Sequence, residues 1–454
     1  MNLPNKLSIK SIPALRRLQN DGNFRFLLKA STFNAVTKIV GTILGFVATF
    51  MIAKTYGPAL LGKVATITST FTLLALFALF GNQTLIVKVI PEHIEKYGYT
   101  NARYVYNKFL FITLSFAAAI IAIWNLAEVT TPFTLLRGME DQALFITILI
   151  ALYTYRRLNT KALRALGDYK IYSYIEMIPP LLLALVTIVS VTLSVSERIF
   201  QYIYFLPQII LFILSFYFVR RTFLAKTKQD SLHDAAAPLP TSRSLIQSSL
   251  PMFGVTISTA IITHFDILML NYFKSSSTVG VYAVYAKIVV ITALATKSIS
   301  SMFGPTVSKL YSTNKNQELK TFAKKTTLLS FGSSLALCLT FLLIHKPFLS
   351  FYGEDFTQDL PTLYILLSGS VIGSFFGPIG LFLNMTGHQT AFFRIILFGA
   401  VTNIILNMLL IPLWGALGAA LATLMCFLTW NILATLKMYK EFGYTIIWSR
   451  GLFK

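Results

Sequence analysis

Long apolar runs, each able to cross a bilayer, follow one another along this chain and exclude most other folds. They lie near 30–53, 60–87, 109–127, 142–156, 171–194 and 199–219, then near 245–270, 278–300, 326–346, 362–385, 391–412 and 414–436. Hydrocarbon offers no water to backbone amides, so segments of about 20 such residues cross it as helices. Only 12% of residues are charged, against about 25% in an ordinary soluble domain. The mean hydropathy is +0.67. The expected fold is an all-α integral membrane protein with about 12 transmembrane helices. The fourth run is the shortest, and the long first, second and seventh runs read as tilted or bent helices.

The net charge of +22 would suggest nucleic acid in a soluble protein. Here the basic residues stand between apolar runs, where membrane orientation explains them and no nucleic-acid partner is needed. If the N-terminus is cytoplasmic, so are both tails and the 88–108, 156–170, 220–243, 297–325 and 386–394 connections, and these hold 31 of the 39 Lys and Arg. The opposite loops carry six basic residues against seven acids: Glu128, Glu140, Asp141, Glu197, Glu354, Asp355 and Asp359. The asymmetry predicts both termini in the cytoplasm and an even number of spans. Residues 1–29 hold Lys6, Lys10, Arg16, Arg17, Arg25 and Lys29, too many charges for the apolar core of a signal peptide. They read as a basic cytoplasmic arm. Cys338 and Cys426 lie within apolar runs without metal or redox spacing and read as small buried side chains.

The polar gap containing Ala235-Ala236-Ala237-Pro238-Leu239-Pro240 divides the chain into two sets of six spans. The expected organisation is an arm over 1–29, a six-helix bundle over 30–226, a linker over 227–243, a second six-helix bundle over 244–437 and a tail over 438–454. Each half begins on the same side, so any repeat between them is parallel. Ser31–Gly62 and Ser248–Gly280 have nearly equal spacing, each covering a long run, a short polar turn and a glycine. Two like bundles leave a cleft between them, the arrangement by which many transporters alternate access. The outward loops are short, which argues against a membrane enzyme; no catalytic residue, cofactor or metal is expected.

Gly57-Pro58-Ala59-Leu60-Leu61-Gly62-Lys63 has phosphate-loop spacing, but Val64 replaces the magnesium-binding hydroxyl. The segment sits between two membrane runs rather than between a strand and a helix, and reads as a tight turn. His264 and Asp266 stand at i and i+2 in the seventh run, so their side chains diverge and a shared metal is not expected. Asp266 lies near an end of its run. It reads either as an interfacial acid reaching water or as a cation or proton site facing the cleft, with His264 and Glu176 as the other candidate ion-coupling groups. Lys38, Glu176 and Lys287 are the deepest charges; each costs roughly 2.5–3.5 kcal/mol at mid-helix, so such groups usually face a watery pathway. Glu176 and Lys287 are close enough to a span end to snorkel in part. Lys88, Lys297 and Arg394 stand at the cytoplasmic mouth, either as orientation anchors or as cations that attract a substrate. A cavity with these lysines suits an anionic head group better than a cationic drug.

Several segments resemble the polysaccharide flippases that move lipid-linked oligosaccharides such as O-antigen repeat units. That family lies within the superfamily of multidrug and toxin extrusion antiporters and lipid II flippases. The resemblance is carried by Lys54-Thr55-Tyr56-Gly57-Pro58 with Gly62, by Asp266-Ile267-Leu268-Met269-Leu270, and by Val279-Gly280-Val281-Tyr282 with Ala286-Lys287. Phe303-Gly304-Pro305 also matches, as does the run from Asn403 through Asn407 to Pro412 with Gly415, Gly418-Ala419-Ala420 and Ala422-Thr423. It implies two six-helix bundles that rock to export an undecaprenyl-diphosphate-linked glycan across the cell inner membrane, coupled to a proton or sodium gradient. Lys38, Lys287, Lys88, Lys297 and Arg394 are then the substrate-binding candidates, and Asp266 matches an acidic position of the family. The partners it implies are a lipid-linked oligosaccharide, the bilayer and other polysaccharide-assembly membrane proteins. Two other readings stay open: a cation-coupled multidrug antiporter, which would need acids in the N-terminal bundle cavity, where Glu176 is the only buried one, and a glycan-assembly enzyme.

Overall fold

The computed structural model describes residues 22–130, 140–228 and 239–447, without the side chains of residues 22–39 and of part of 294–302. The helices are α1 (Gly22–Leu79), α2 (Asn82–Thr130), α3 (Ala143–Ala165), α4 (Tyr169–Thr192), α5 (Glu197–Ile203) and α6 (Leu206–Thr227), followed by α7 (Ser242–Phe273), α8 (Ser276–Ser312), α9 (Asn316–Ser350), α10 (Leu360–Phe375), α11 (Ile379–Met385), α12 (Gln389–Trp414) and α13 (Ala416–Phe442). No strand occurs among the described residues. Among the described residues ten stretches are long and apolar enough to cross a membrane. One of them, Val40–Leu79, holds the helices on both sides of a break at Gly57. The 23-residue α3 stands outside that group, yet at 1.5 Å per residue it is about 35 Å long. With these two additions the structure accounts for all of the expected spans.

Bends at three glycines alter the expected boundaries, each for a local backbone reason. The second run, expected unbroken over 60–87, is cut at Phe80 and Gly81, whose φ values are 45° and 77°. The connection expected over 88–108 is helical, with a bend at Gly98 (φ 81°) inside α2. The run over 362–385 breaks at Gly377 (φ 65°) into α10 and α11. Positive φ costs glycine little, so a glycine marks each bend. The fourth span, expected to end at 156, continues to Ala165 because Thr154, Arg156, Asn159 and Thr160 are buried inside the protein. Hydropathy cannot distinguish a polar residue buried among helices from one in a loop.

The phosphate-loop-like segment is a helix–helix break. Gly57 takes φ 80° and ψ 177°, Pro58 begins the next helical piece, and Lys63 pairs with Glu197 at 3.3 Å. Beside this break the two halves interlock. A Cβ on Gly62 would fall 1.8 Å from the Ser276 carbonyl oxygen, and one on Gly280 would fall 2.0 Å from that of Pro58. Gly62 and Gly280 are the paired glycines of the sequence repeat, so the contact is reciprocal. It packs backbone on backbone, as small residues allow in membrane bundles.

Around it a single apolar cluster joins both halves, with Ile52, Leu60, Leu61 and Phe200 against Val279, Tyr282, Tyr285 and Phe356. Toward the opposite end, Ile86, Phe109, Leu163 and Phe223 of the first half form one cluster, while Phe303, Leu319, Phe382 and Met438 of the second form another. There the α1–α7 seam still links the halves: Gly81 abuts the backbone of Ser249 and Phe253, and the Phe80 and Phe253 rings stack with centroids 4.6 Å apart.

Gly62→Ala is expected to lower thermal stability in detergent by about 1–3 kcal/mol, because the methyl group meets rigid backbone. Gly332→Ala, where nothing lies within 4 Å, is expected to raise it by about 0.5–1 kcal/mol. Thermal unfolding of the two variants beside the parent checks both signs.

Candidate functional site

Asp266 is an interior acid. Its side chain is 3% exposed, which excludes the interfacial-acid reading: the residue is near a helix end but points into the C-terminal bundle. Four neutral side chains converge on its carboxylate. Tyr282 Oη of α8 donates to Oδ2 at 2.8 Å, and the Thr423 hydroxyl of α13 donates to the same oxygen. From α12, Asn407 Nδ2 donates to Oδ1 at 2.6 Å and Asn403 Nδ2 at 3.3 Å. Asn403 and Asn407 are one helical turn apart and so share a face; they are joined by a 3.1 Å bond from Asn407 Nδ2 to Asn403 Oδ1. Among the described residues Asn407 Oδ1 has no hydrogen-bond partner. Carboxylate, amide and hydroxyl oxygens form the kind of set that takes a hard cation or a proton. Among the described residues no group of three His, Cys, Asp or Glu could hold a metal.

His264 points the other way, as its i, i+2 relation to Asp266 requires. Its Nδ1 lies 3.3 Å from Ser69 Oγ of α1, so α7 touches the first half through His264 and the second through Asp266.

Lys287 is a bridge between halves. Its ammonium donates to the Gly45 carbonyl at 2.6 Å and to the Thr49 hydroxyl, and lies 5.5 Å from the centroid of the Phe46 ring. All three partners are on α1. Instead of snorkelling to a span end, the side chain ties α8 to α1. Glu176 is ion-paired: Arg157 Nη1 and Lys161 Nζ, both on α3, lie 3.3 and 3.5 Å from its Oε1. Lys88 and Arg394 are exposed at the surface. Lys38 and Lys297 lie outside the residues whose side chains are described. The described members of the expected set therefore lie apart from one another. Lys287 is held at the α1–α8 contact, Asp266 lies within the C-terminal bundle, and Glu176 pairs within the N-terminal one.

The sequence reading did not single out Tyr282, Asn403, Asn407 and Thr423 as site residues. One signal for them existed: two asparagines four apart on an otherwise apolar helix. Arg157 and Lys161 were hidden by their assignment to a connecting loop.

The chain matches the family model described as "Polysaccharide biosynthesis protein" over residues 27–311. It belongs to that family. A second model, MatE, matches residues 251–409. The "Probable flippase AglR" of Haloferax volcanii is 32% identical over 178 residues, 37% of this chain and 36% of the relative. The chain thus spans only about a third of the length of the first curated relatives it matches. Among solved structures, an inward-facing multidrug resistance MATE family transporter superposes with a TM-score of 0.71 at 13% identity, covering 90% of this chain and 98% of the other. The lipid II flippase MurJ, in an inward closed conformation, gives 0.65 at 15% identity, covering 90% and 89%. At these identities the likeness is one of fold.

Asp266→Ala would strand four donors around a void. Each buried unsatisfied group costs about 1–3 kcal/mol, so a loss of at least ~3 kcal/mol is expected, with a much smaller loss for Asp266→Asn. Thermal unfolding in detergent ranks the two.

Proposed function

We propose that this protein flips an undecaprenyl-diphosphate-linked oligosaccharide repeat unit, of the O-antigen or another surface-polysaccharide type, across the cell inner membrane by alternating access. Both termini then lie in the cytoplasm, as the basic loops indicate. The observation that carries this reading is the sign of the interior charge. Glu176, the acid that a cationic drug would need in the N-terminal bundle, is neutralised by Arg157 and Lys161. Lys287 has no ion pair among the described residues. In the N-terminal bundle and at the contact between the halves, these charges favour a diphosphate over a cationic drug. The family membership and the relative named as a flippase support a lipid-linked glycan over a soluble solute.

Asp266 is the proposed coupling site. A sodium ion would draw on its carboxylate and on the oxygens of Asn403, Asn407 and Thr423; a proton would sit on the carboxylate itself. Either would remove a net charge from the bundle interior and change how its helices pack. His264, two residues away, would carry that change to α1. Lys287, Lys38 and Lys297, with Lys88 and Arg394, are the proposed substrate cations, and Lys287 would exchange its α1 partners for phosphate oxygens as the α1–α8 contact opens. Other polysaccharide-assembly membrane proteins are the proposed partners.

The MatE match over the C-terminal half favours one competing reading, a cation-coupled multidrug antiporter. The deciding experiment is complementation of a strain lacking this protein. Lys287→Ala is expected to reach normal membrane levels and to block surface glycan display. Normal display would remove Lys287 from the pathway, and resistance to toxic cations on overexpression would favour the antiporter.

A further inference from the structure

The last turns of α3 carry more positive charge than the structure around them uses. Arg156, Arg157, Lys161 and Arg164 project from this helix, and Glu176 of α4 pairs with two of them. Lys161 Nζ also donates to Tyr172 Oη at 3.3 Å and lies 5.1 Å from the centroid of that ring. The Arg164 guanidinium lies 5.7 Å from the same ring. Arg156 is only 7% exposed. Its guanidinium sits 4.9 Å from the Tyr153 ring, which packs edge-on against Phe71 of α1. The cluster thus extends from α4 across α3 to α1.

Two features set this cluster apart from a set of orientation anchors. Anchoring cations snorkel to water, whereas Arg156 is buried. The Nε–H groups of both Arg156 and Arg157 are also buried with no acceptor among the described residues. A structural ion pair would need one cation for Glu176; here further cations share the site, at a cost that an unpartnered charge carries in a low-dielectric interior. The Arg157 guanidinium, with its free Nε–H, beside the Lys161 ammonium matches the oxygens of a phosphate group, and Arg156 adds positive charge one residue away. A phosphate would relieve both the donor and the charge excess.

We infer that this α3–α4 cluster is a second anion site, which takes a phosphate-bearing head group. Glu176 is its resident counter-charge, displaced from Arg157 and Lys161 when phosphate enters. The inference rests on the proposed anionic cargo and places a phosphate contact in the N-terminal half, apart from Lys287.

The test uses the full chain in phosphatidylcholine nanodiscs with inorganic diphosphate as the probe, measured by titration calorimetry. Removing the competing carboxylate in Glu176→Gln is expected to tighten diphosphate binding about tenfold, and Arg157→Gln/Lys161→Gln to weaken it about tenfold or more. The charge-keeping pair Arg157→Lys/Lys161→Arg is expected to retain most of the affinity, which separates lost charge from lost folding. Nanodiscs of phosphatidylglycerol separate the two sources of phosphate. Weakened diphosphate binding there makes a bilayer lipid head group an occupant, and unchanged binding leaves the site to the cargo's diphosphate. A parent protein that does not bind diphosphate overturns the proposal. So does Glu176→Gln lowering the unfolding temperature without tightening binding, the result a purely structural ion pair gives. If the cluster fails this test while Lys287→Ala still blocks glycan display, the site assignment falls and the transport reading stands.

Discussion

A charge inside a membrane bundle is costly unless protein groups or a watery pathway give it partners. Three solutions to that constraint organise the interior here. Asp266 is met by neutral donors from α8, α12 and α13. Glu176 is met by two cations from α3. Lys287 is met by a carbonyl and a hydroxyl across the boundary between the halves. They differ in what can replace the present partner. Neutral donors leave the Asp266 charge uncompensated, which is why it is the proposed place for a cation or a proton. The cations around Glu176 outnumber it, so that position favours a further anion. The Lys287 partners belong to a contact that would part under the proposed alternating access, so its bonding would follow conformation. Charge balance and movement are thus tied to the same few side chains.

Much of the fold could be read from the sequence because the bilayer imposes it. Length, apolarity and loop charge left little freedom over helix number and class, and the nearly equal spacing of Ser31–Gly62 and Ser248–Gly280 pointed to the repeat. Detail was lost where a residue's setting depends on its neighbours in three dimensions. Arg156 and Arg157 interrupt an apolar run in one dimension and so read as its end; in space they lie against α1 and α4, and the helix continues past them. For Asp266, its distance to the helix end left an interfacial reading open beside the interior one, yet helical rotation aims it at α12 and α13. The bends at Gly81, Gly98 and Gly377 are single-residue dihedral choices that hydropathy does not register.

The site was legible to a similar degree. Asp266, Glu176 and Lys287 stood out because isolated charges in apolar runs are costly. Their companions did not, since Asn403, Asn407, Thr423 and Tyr282 carry no formal charge and become notable only when four helices bring them to one carboxylate. The segments that carried the family resemblance contained all four, which shows that a recognisable pattern can preserve a site without revealing what it does.

The contact between Gly62 and Gly280 has a further consequence for the proposed movement. A joint made of long side chains yields gradually, since rotamers can follow a widening gap. A joint of two bare backbones has no such slack: with no Cβ on either side, attraction at this closeness is lost within a fraction of an ångström of separation. That end of the molecule should behave as a snap fastener, shut or released with little occupancy between. The symmetry of the pair means that neither half can let go without the other.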